Sequence, residues 1–198
     1  PNVALAEGSI DINWYQHEPY LNAYNADNGT KLVMIEPKTA APLFDMYSTK
    51  IKDVKELKDG ATIAICADAS NKARGLHLLE AQGLIKIKDG VETPTQYDIA
   101  ENPHNFKFIE ADMQVLPQSL PDVDCILCAA AHMVNAGLDG TKYVFASDDS
   151  EEYAVGFVVR EEDKDASWAT GLAKAVQCDA LAEYYATVKQ GVMVPMWK

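Results

Sequence analysis

The most pointed chemistry in the chain lies in Asp68-Ala69-Ser70-Asn71-Lys72-Ala73-Arg74. This stretch follows an apolar run that reads as a parallel strand, and it opens a helix. Free backbone N–H groups and the positive end of the helix dipole favour an anion there. A guanidinium at that end is unfavourable by about a few tenths of a kcal/mol unless something negative sits beside it. A ligand carboxylate meets both conditions, because Arg74 offers a planar fork of donors suited to bidentate binding. The competing reading pairs Arg74 with Asp68 or leaves it in solvent, and spacing alone keeps the two readings level.

A second candidate is Trp14-Tyr15-Gln16-His17-Glu18-Pro19-Tyr20-Leu21, which crowds aromatic rings and an imidazole at a strand end. Aromatic walls with a few polar tips line small-molecule clefts. Composition alone favours the plainer reading, a cluster packed under a loop. Phe44, Met46 and Tyr47 after Pro42 form a similar patch, read as core.

Other chemistries fail on their own terms. Cys125 and Cys128 form a C-x2-C with His132 nearby, but the surrounding text reads as a short buried strand, in which positions three apart face opposite ways and cannot share one ion. No metal and no cofactor is expected. There is no G-x-G-x-x-G, Walker A, G-x-S-x-G or H-E-x-x-H sequence, and the four histidines stand far apart. The expectation is a protein without catalytic activity. The alternative is a divergent protein, either a thiol enzyme acting through Cys66 or Cys128 at strand ends or a ligand-free signalling or adhesin protein; thiol chemistry would need a lowered thiol pKa and a nearby base.

The elements that position these residues follow from periodicity. A helix tail at Val3–Gly8 precedes an alternating strand at Ser9–Tyr15. From residue 50 onward strands and helices alternate: a short helix opened by Asp53, a strand at Ala61–Ile65, a helix from Asn71 to about Gln82 capped by Ser70 and stopped by Gly83, then a strand at Leu84–Lys88. A helix near Pro94–Ala100, a strand at Phe106–Glu110, a helix around Val115–Leu120 and a strand at Val123–Cys128 continue the rhythm. A helix at His132–Leu138 and strands at Tyr143–Ala146 and Val155–Arg160 precede one long helical stretch, Asp165–Lys189. Such alternation predicts an α/β protein with a mostly parallel, covered sheet.

The chain of 198 residues is 48% apolar, enough for a real core, and its net charge of −13 argues against nucleic acid and anionic membrane surfaces as partners. Four cysteines are too few for a disulfide-built scaffold and do not fix the compartment.

Beyond these local readings, Asn2-Val3-Ala4-Leu5-Ala6-Glu7-Gly8-Ser9-Ile10-Asp11 and Asn13-Trp14-Tyr15-Gln16-His17-Glu18-Pro19-Tyr20-Leu21 resemble the signature of the methionine-binding lipoproteins, the substrate-binding components of methionine-type ABC importers. Leu57–Ile65, Ser70-Asn71 with Arg74, Gly83-Leu84-Ile85-Lys86, Glu101-Asn102-Pro103 and Val194-Pro195 extend the resemblance in order through the chain. It implies a type II periplasmic-binding-protein fold: two α/β lobes, here 1–48 plus 157–198 and 49–156, joined by two crossing strands with ligand in the cleft. It also implies ligand contacts at Tyr15, His17, Tyr20, Phe44, Asn71, Arg74 and Ala131. The implied partners are a methionine-like amino acid or other small carboxylate and ABC permease subunits. The implied setting is extracytoplasmic, with membrane contact only through a lipid anchor outside this sequence and the first lobe short of a strand–helix–strand.

The pattern departs from that family at three places: Ala129-Ala130-Ala131 stands where an N-x-N is usual, Tyr153-Ala154-Val155 lacks an asparagine, and Ala40–Ser48 lacks a histidine and a Pro-Met-Gly. A lost amide partner in a closed site costs about 1–3 kcal/mol, which leaves open, beside methionine, a modified or different carboxylate ligand with a more apolar head.

Overall fold

The computed structural model describes residues 1–197. The first segment of the chain holds α1 (Asn2–Ala6), β1 (Asn13–His17), α2 (Glu18–Asn28) and β2 (Leu32–Pro42). The middle segment holds β3 (Phe44–Tyr47), β4 (Thr62–Cys66), α3 (Ala69–Ala81), β5 (Lys86–Ile87), β6 (Ile99–Glu101), β7 (Lys107–Ala111), α4 (Leu116–Ser119), β8 (Cys125–Ala129), α5 (Ala130–Asn135) and β9 (Phe145–Ala146). The last holds β10 (Val155–Arg160), α6 (Ser167–Ala175), α7 (Asp179–Thr187) and β11 (Met193–Pro195). Two units result: one from Pro1–Pro42 and the segment from Asp149 onward, the other from Leu43–Asp148. The sequence expectation drew these limits at 48/49 and 156/157; the units divide after Pro42 and after Asp148, and β3 pairs within the sheet of the second unit.

The first unit is built on a sheet of order β1-β10-β2-β11 in which each neighbouring pair is antiparallel. Its inner strand β10 is apolar on both faces because both are covered. Phe157 and Val159 pack with Ile35 against Ala169 and Ala173 of α6, while Val158 turns the other way to meet Leu5, Leu21 and Leu32. Arg160 ends the strand and donates to the carbonyls of Leu5 and Ile10 at 3.2 and 2.8 Å and to Asp11 at 2.9 Å, tying β10 to the chain between α1 and β1.

The second unit carries a five-stranded mixed sheet of order β7-β4-β8-β3-β9. Here β4 lies parallel to β7 and β8, whereas β3 runs antiparallel to β8 and β9. Ile63, Ile65, Cys125, Leu127, Phe44 and Met46 present one face to Leu76 and Leu79 of α3, and α4 packs on β4 and β8. Helix α3 approaches closely at Gly75, where an added Cβ would stand 3.2 Å from Leu127 Cδ1.

Several expected elements are corrected. Parallel pairing is confined to β4, β7 and β8 among the described residues, because the first unit's strands come from distant parts of the chain and elements alternating in sequence do not dictate their pairing. The strand expected at 9–15 begins at Asn13, and the following aromatic turn is an eleven-residue helix, α2, with Pro19 in its first turn. The stretches at 53–60 and 94–100 form only short 3₁₀ turns, Val54–Glu56 and Gln96–Asp98, and the latter runs into β6. The long C-terminal helix is two helices, interrupted where Cys178 takes an extended backbone and starts α7.

Candidate functional site

In the second unit, the strand-to-helix turn after β4 positions Arg74. Asp68, rather than the expected Ser70, is the N-cap of α3: its Oδ1 accepts from the Asn71 backbone N–H at 2.9 Å and from the Ser70 hydroxyl at 2.9 Å. The Asn71 amide donates to both Asp68 oxygens at 3.1 and 3.0 Å, and the Cys66 thiol donates to Oδ2 at 2.7 Å. Burial pushes the Asp68 carboxyl up, but the bonds from Asn71, Cys66 and Ser70 outweigh it and hold the group below the usual carboxylate range. The anion that the first turn attracts is thus supplied in part by the chain itself.

Arg74 lies in the second turn of α3, 1% exposed, with its guanidinium carbon 4.7 Å from the centre of the Phe44 ring. Two turns of one helix and one strand therefore bring Asn71, Arg74 and Phe44 together. Ala131 belongs to the opening turn of α5, which begins directly after β8; Ala129, the last residue of that strand, is the register partner of Phe44.

Next to Phe44, Asp45 is fully buried. Its Oδ2 accepts from the Tyr47 hydroxyl at 2.8 Å, and that hydroxyl also lies 2.8 Å from the Gly140 carbonyl. Its Oδ1 has no hydrogen-bond partner among the described residues. Burial pushes the carboxyl up to about 6, with the Tyr47 bond and the Arg74 charge pulling it part of the way back. Sequence reasoning passed over Asp45 because an acidic residue in an acidic chain reads as surface; its signal was its place in an otherwise apolar strand, Phe44–Tyr47.

In the first unit, Tyr15, His17 and Tyr20 do assemble. His17 ends β1 and caps α2, its Nδ1 accepting from the Tyr20 backbone N–H at 3.2 Å. Tyr15 and Tyr20 meet edge to face at 6.1 Å, and His17 and Tyr20 at 6.2 Å. Tyr153, not anticipated as a member, completes the cluster, its ring centre 4.9 Å from that of His17. A buried amide network holds the strand beneath: Asn2 and Gln16 exchange bonds of 2.8 and 2.7 Å, and Asn13 bonds Asn2 at 2.9 Å. Amides buried at three separated positions carry no sequence signal of mutual contact.

The thiols are unlike those of a cysteine nucleophile. Cys66, Cys125 and Cys128 are buried, and desolvation raises each, Cys125 to about 12. Cys125 faces the apolar core with Leu127, whereas Cys128 pairs across from Asp45, so the C-x2-C spans both faces of β8.

Comparison with known proteins decides the family. The profile of the NlpA lipoproteins matches residues 1–197. The chain belongs to that family. It is 40% identical over 201 residues to a D-methionine-binding lipoprotein, MetQ, of Salmonella typhi, an alignment covering all of this chain and 74% of the relative. It superposes on a nutrient-binding protein of Burkholderia cenocepacia bound to methionine with a TM-score of 0.94 and 36% identity, covering 100% of this chain and 83% of that one. A periplasmic substrate-binding protein of an ABC transporter from Coxiella burnetii gives 0.92 and 37%, covering 98% and 83%. Membership makes the chain an extracytoplasmic solute-binding lipoprotein of the ABC-importer class. The two α/β lobes built of sheets and helices are the architecture that the family members share with it.

Proposed function

We propose that the chain binds methionine or a related small amino acid or carboxylate on a type II periplasmic-binding-protein scaffold and delivers it to the permease subunits of an ABC importer. The observation that carries this reading is Arg74, a buried guanidinium stacked on Phe44 and set one turn beyond Asn71. A buried, pre-oriented guanidinium is a strong carboxylate holder, because its fork needs little further ordering when the ligand arrives. The proposed contacts in that unit are Arg74 and Asn71 for the carboxylate, with Phe44 and Ala131 as apolar surface. In the other unit they are Tyr15, His17 and Tyr20, an apolar wall with polar tips.

The reading involves no catalytic step, cofactor or metal. Among the described residues no helix is long and apolar enough to cross a membrane, and attachment through a lipid anchor is part of the proposal. Thermal unfolding against a panel of amino acids, dipeptides and simple carboxylates tests it. A ligand at a hundred times its Kd stabilises by about 2.7 kcal/mol, which for a chain of this size raises Tm by about 5–10 °C. Arg74→Ala should remove the shift. A panel without any responder sinks the solute-binding reading, and a shift retained by Arg74→Ala sinks the role given to that residue.

A further inference from the structure

Strand β1 of the first unit carries an extra residue against its partner. Asn13 pairs with Val158, Gln16 with Gly156 and His17 with Val155, so three steps along β1 answer to two along β10. That is a β-bulge, which bends a strand and re-aims its side chains. Had the register set at Asn13 run on unbroken, Gln16 would stand opposite Val155 and His17 opposite Ala154. A slip of one residue turns every later side chain to the other face. The bulge therefore decides where His17 stands and where Tyr15, inside it, is aimed.

Three buried amides close over this bulge. Gln16 Nε2 donates to Asn13 Oδ1 at 2.9 Å, although side chains three apart on a regular strand face opposite ways. Asn2 of α1 completes the ring: its Nδ2 donates to Gln16 Oε1 at 2.8 Å, and its Oδ1 accepts from Gln16 Nε2 at 2.7 Å and from Asn13 Nδ2 at 2.9 Å. Each amide oxygen is met, and all three residues are buried. Trp14 leaves on the other side of the strand, stacked on Phe157 at 4.8 Å, with its Nε1 donating to Thr39 Oγ1 at 2.8 Å. A buried polar ring with its acceptors satisfied fixes one geometry, where an apolar cluster of the same volume tolerates several. What this ring fixes is the step in register that directs Tyr15 and His17.

We infer that Asn2, Asn13 and Gln16 are positioning residues for ligand binding: their amide ring holds the β1 bulge and so sets Tyr15 and His17, while none of the three meets the ligand. The inference rests on the reading of Tyr15 and His17 as ligand contacts and adds the residues that aim them.

Titration calorimetry with L- and D-methionine, paired with urea unfolding, tests it. Gln16→Met keeps the side-chain length and removes the amide. It should weaken methionine binding about 10-fold, but about 3-fold or less once Tyr15→Ala has removed a side chain that the bulge aims. In the combined variant Asn2→Leu/Asn13→Leu/Gln16→Met no amide of the ring is left unmet. Its urea midpoint should stay at the wild-type value or rise while its affinity still falls about 10-fold. Wild-type affinity in both ring variants overturns the inference, and so does an equal loss from Gln16→Met with and without Tyr15→Ala. A midpoint and an affinity that fall together in the combined variant assign the ring a structural role only and overturn it too. Wild-type affinity in Tyr15→Ala alone overturns instead the reading of Tyr15 as a contact, and binding of neither enantiomer by the wild type overturns the methionine reading; the inference falls with either. The combined variant carries the test where Gln16→Met does not fold.

Discussion

The guanidinium of Arg74 rests 4.7 Å above the ring of Phe44, and both side chains are buried. A desolvated cation over an aromatic face gains about 2 kcal/mol, and the ring also fixes where the fork of donors sits. Phe44 thus serves the core below and the guanidinium above. Phe44→Leu keeps apolar volume and removes the ring. Urea unfolding should show a loss of about 1–3 kcal/mol, and ligand affinity should fall without being abolished, in contrast to Arg74→Ala.

Gly75 sets the spacing that makes this stacking possible. A Cβ there would meet Leu127 Cδ1 at 3.2 Å and Phe44 Cε1 at 3.8 Å. Gly75→Ala should be absorbed by a small side-chain shift. Gly75→Val should push α3 away from β8, costing about 1–3 kcal/mol in chemical denaturation and shrinking the ligand-induced rise in Tm, because Arg74 moves with the helix.

Asp68 caps α3 and orders Asn71. Asp68→Ala should cost about 1–2 kcal/mol at neutral pH. Its carboxyl is held below the usual range in the folded state, so its contribution is present above the unfolded carboxylate pKa and is lost as pH falls further. The stability gap between wild type and variant should therefore close on acidification below about pH 4, as read from unfolding curves across pH.

Asp45 should behave in the opposite sense. Its folded pKa is raised to about 6, so its favourable contribution is complete below about pH 4 and disappears as pH rises through 6. Asp45→Asn is accordingly expected to be more stable than wild type at pH 8 by about 2–3 kcal/mol, with the difference vanishing near pH 4. A variant less stable than wild type at pH 8 would contradict the burial cost assigned to the ionised group.

Of the four cysteines, Cys178 is exposed and the other three are buried. Iodoacetamide at neutral pH should label Cys178 alone in the native protein, with Cys66, Cys125 and Cys128 reacting only on unfolding; mass spectrometry of the labelled chain reads this directly. Rapid native labelling of Cys66 or Cys128 would reopen thiol chemistry at those strand ends.

Local signals in the sequence were read where short-range physics controls the outcome. Strand β10 forms at the residues its apolar run announced, and Gly83 ends α3 with a backbone φ of +70°, a conformation suited to glycine. The C-terminal break at Cys178 was hidden because no proline or glycine marks it, and periodicity carries through Val176 and Leu181 unbroken. The cap of α3 moved from Ser70 to Asp68 since both residue types suit the role and only the backbone path separates them.

The sequence by itself determined the family and the α/β class, through an ordered series of motifs, and the resemblance those motifs carry pointed to Arg74 and to Tyr15, His17 and Tyr20, which residue type and spacing alone left open. Tertiary structure alone decided that the first unit's sheet is antiparallel, that Tyr153 joins His17, and that Phe44 carries Arg74. It also decided that one oxygen of Asp45 is buried without a hydrogen-bond partner among the described residues. The physical reason is separation: these contacts join residues tens of positions apart in the chain or depend on which donors the fold brings to a single atom, and neither is encoded in local periodicity.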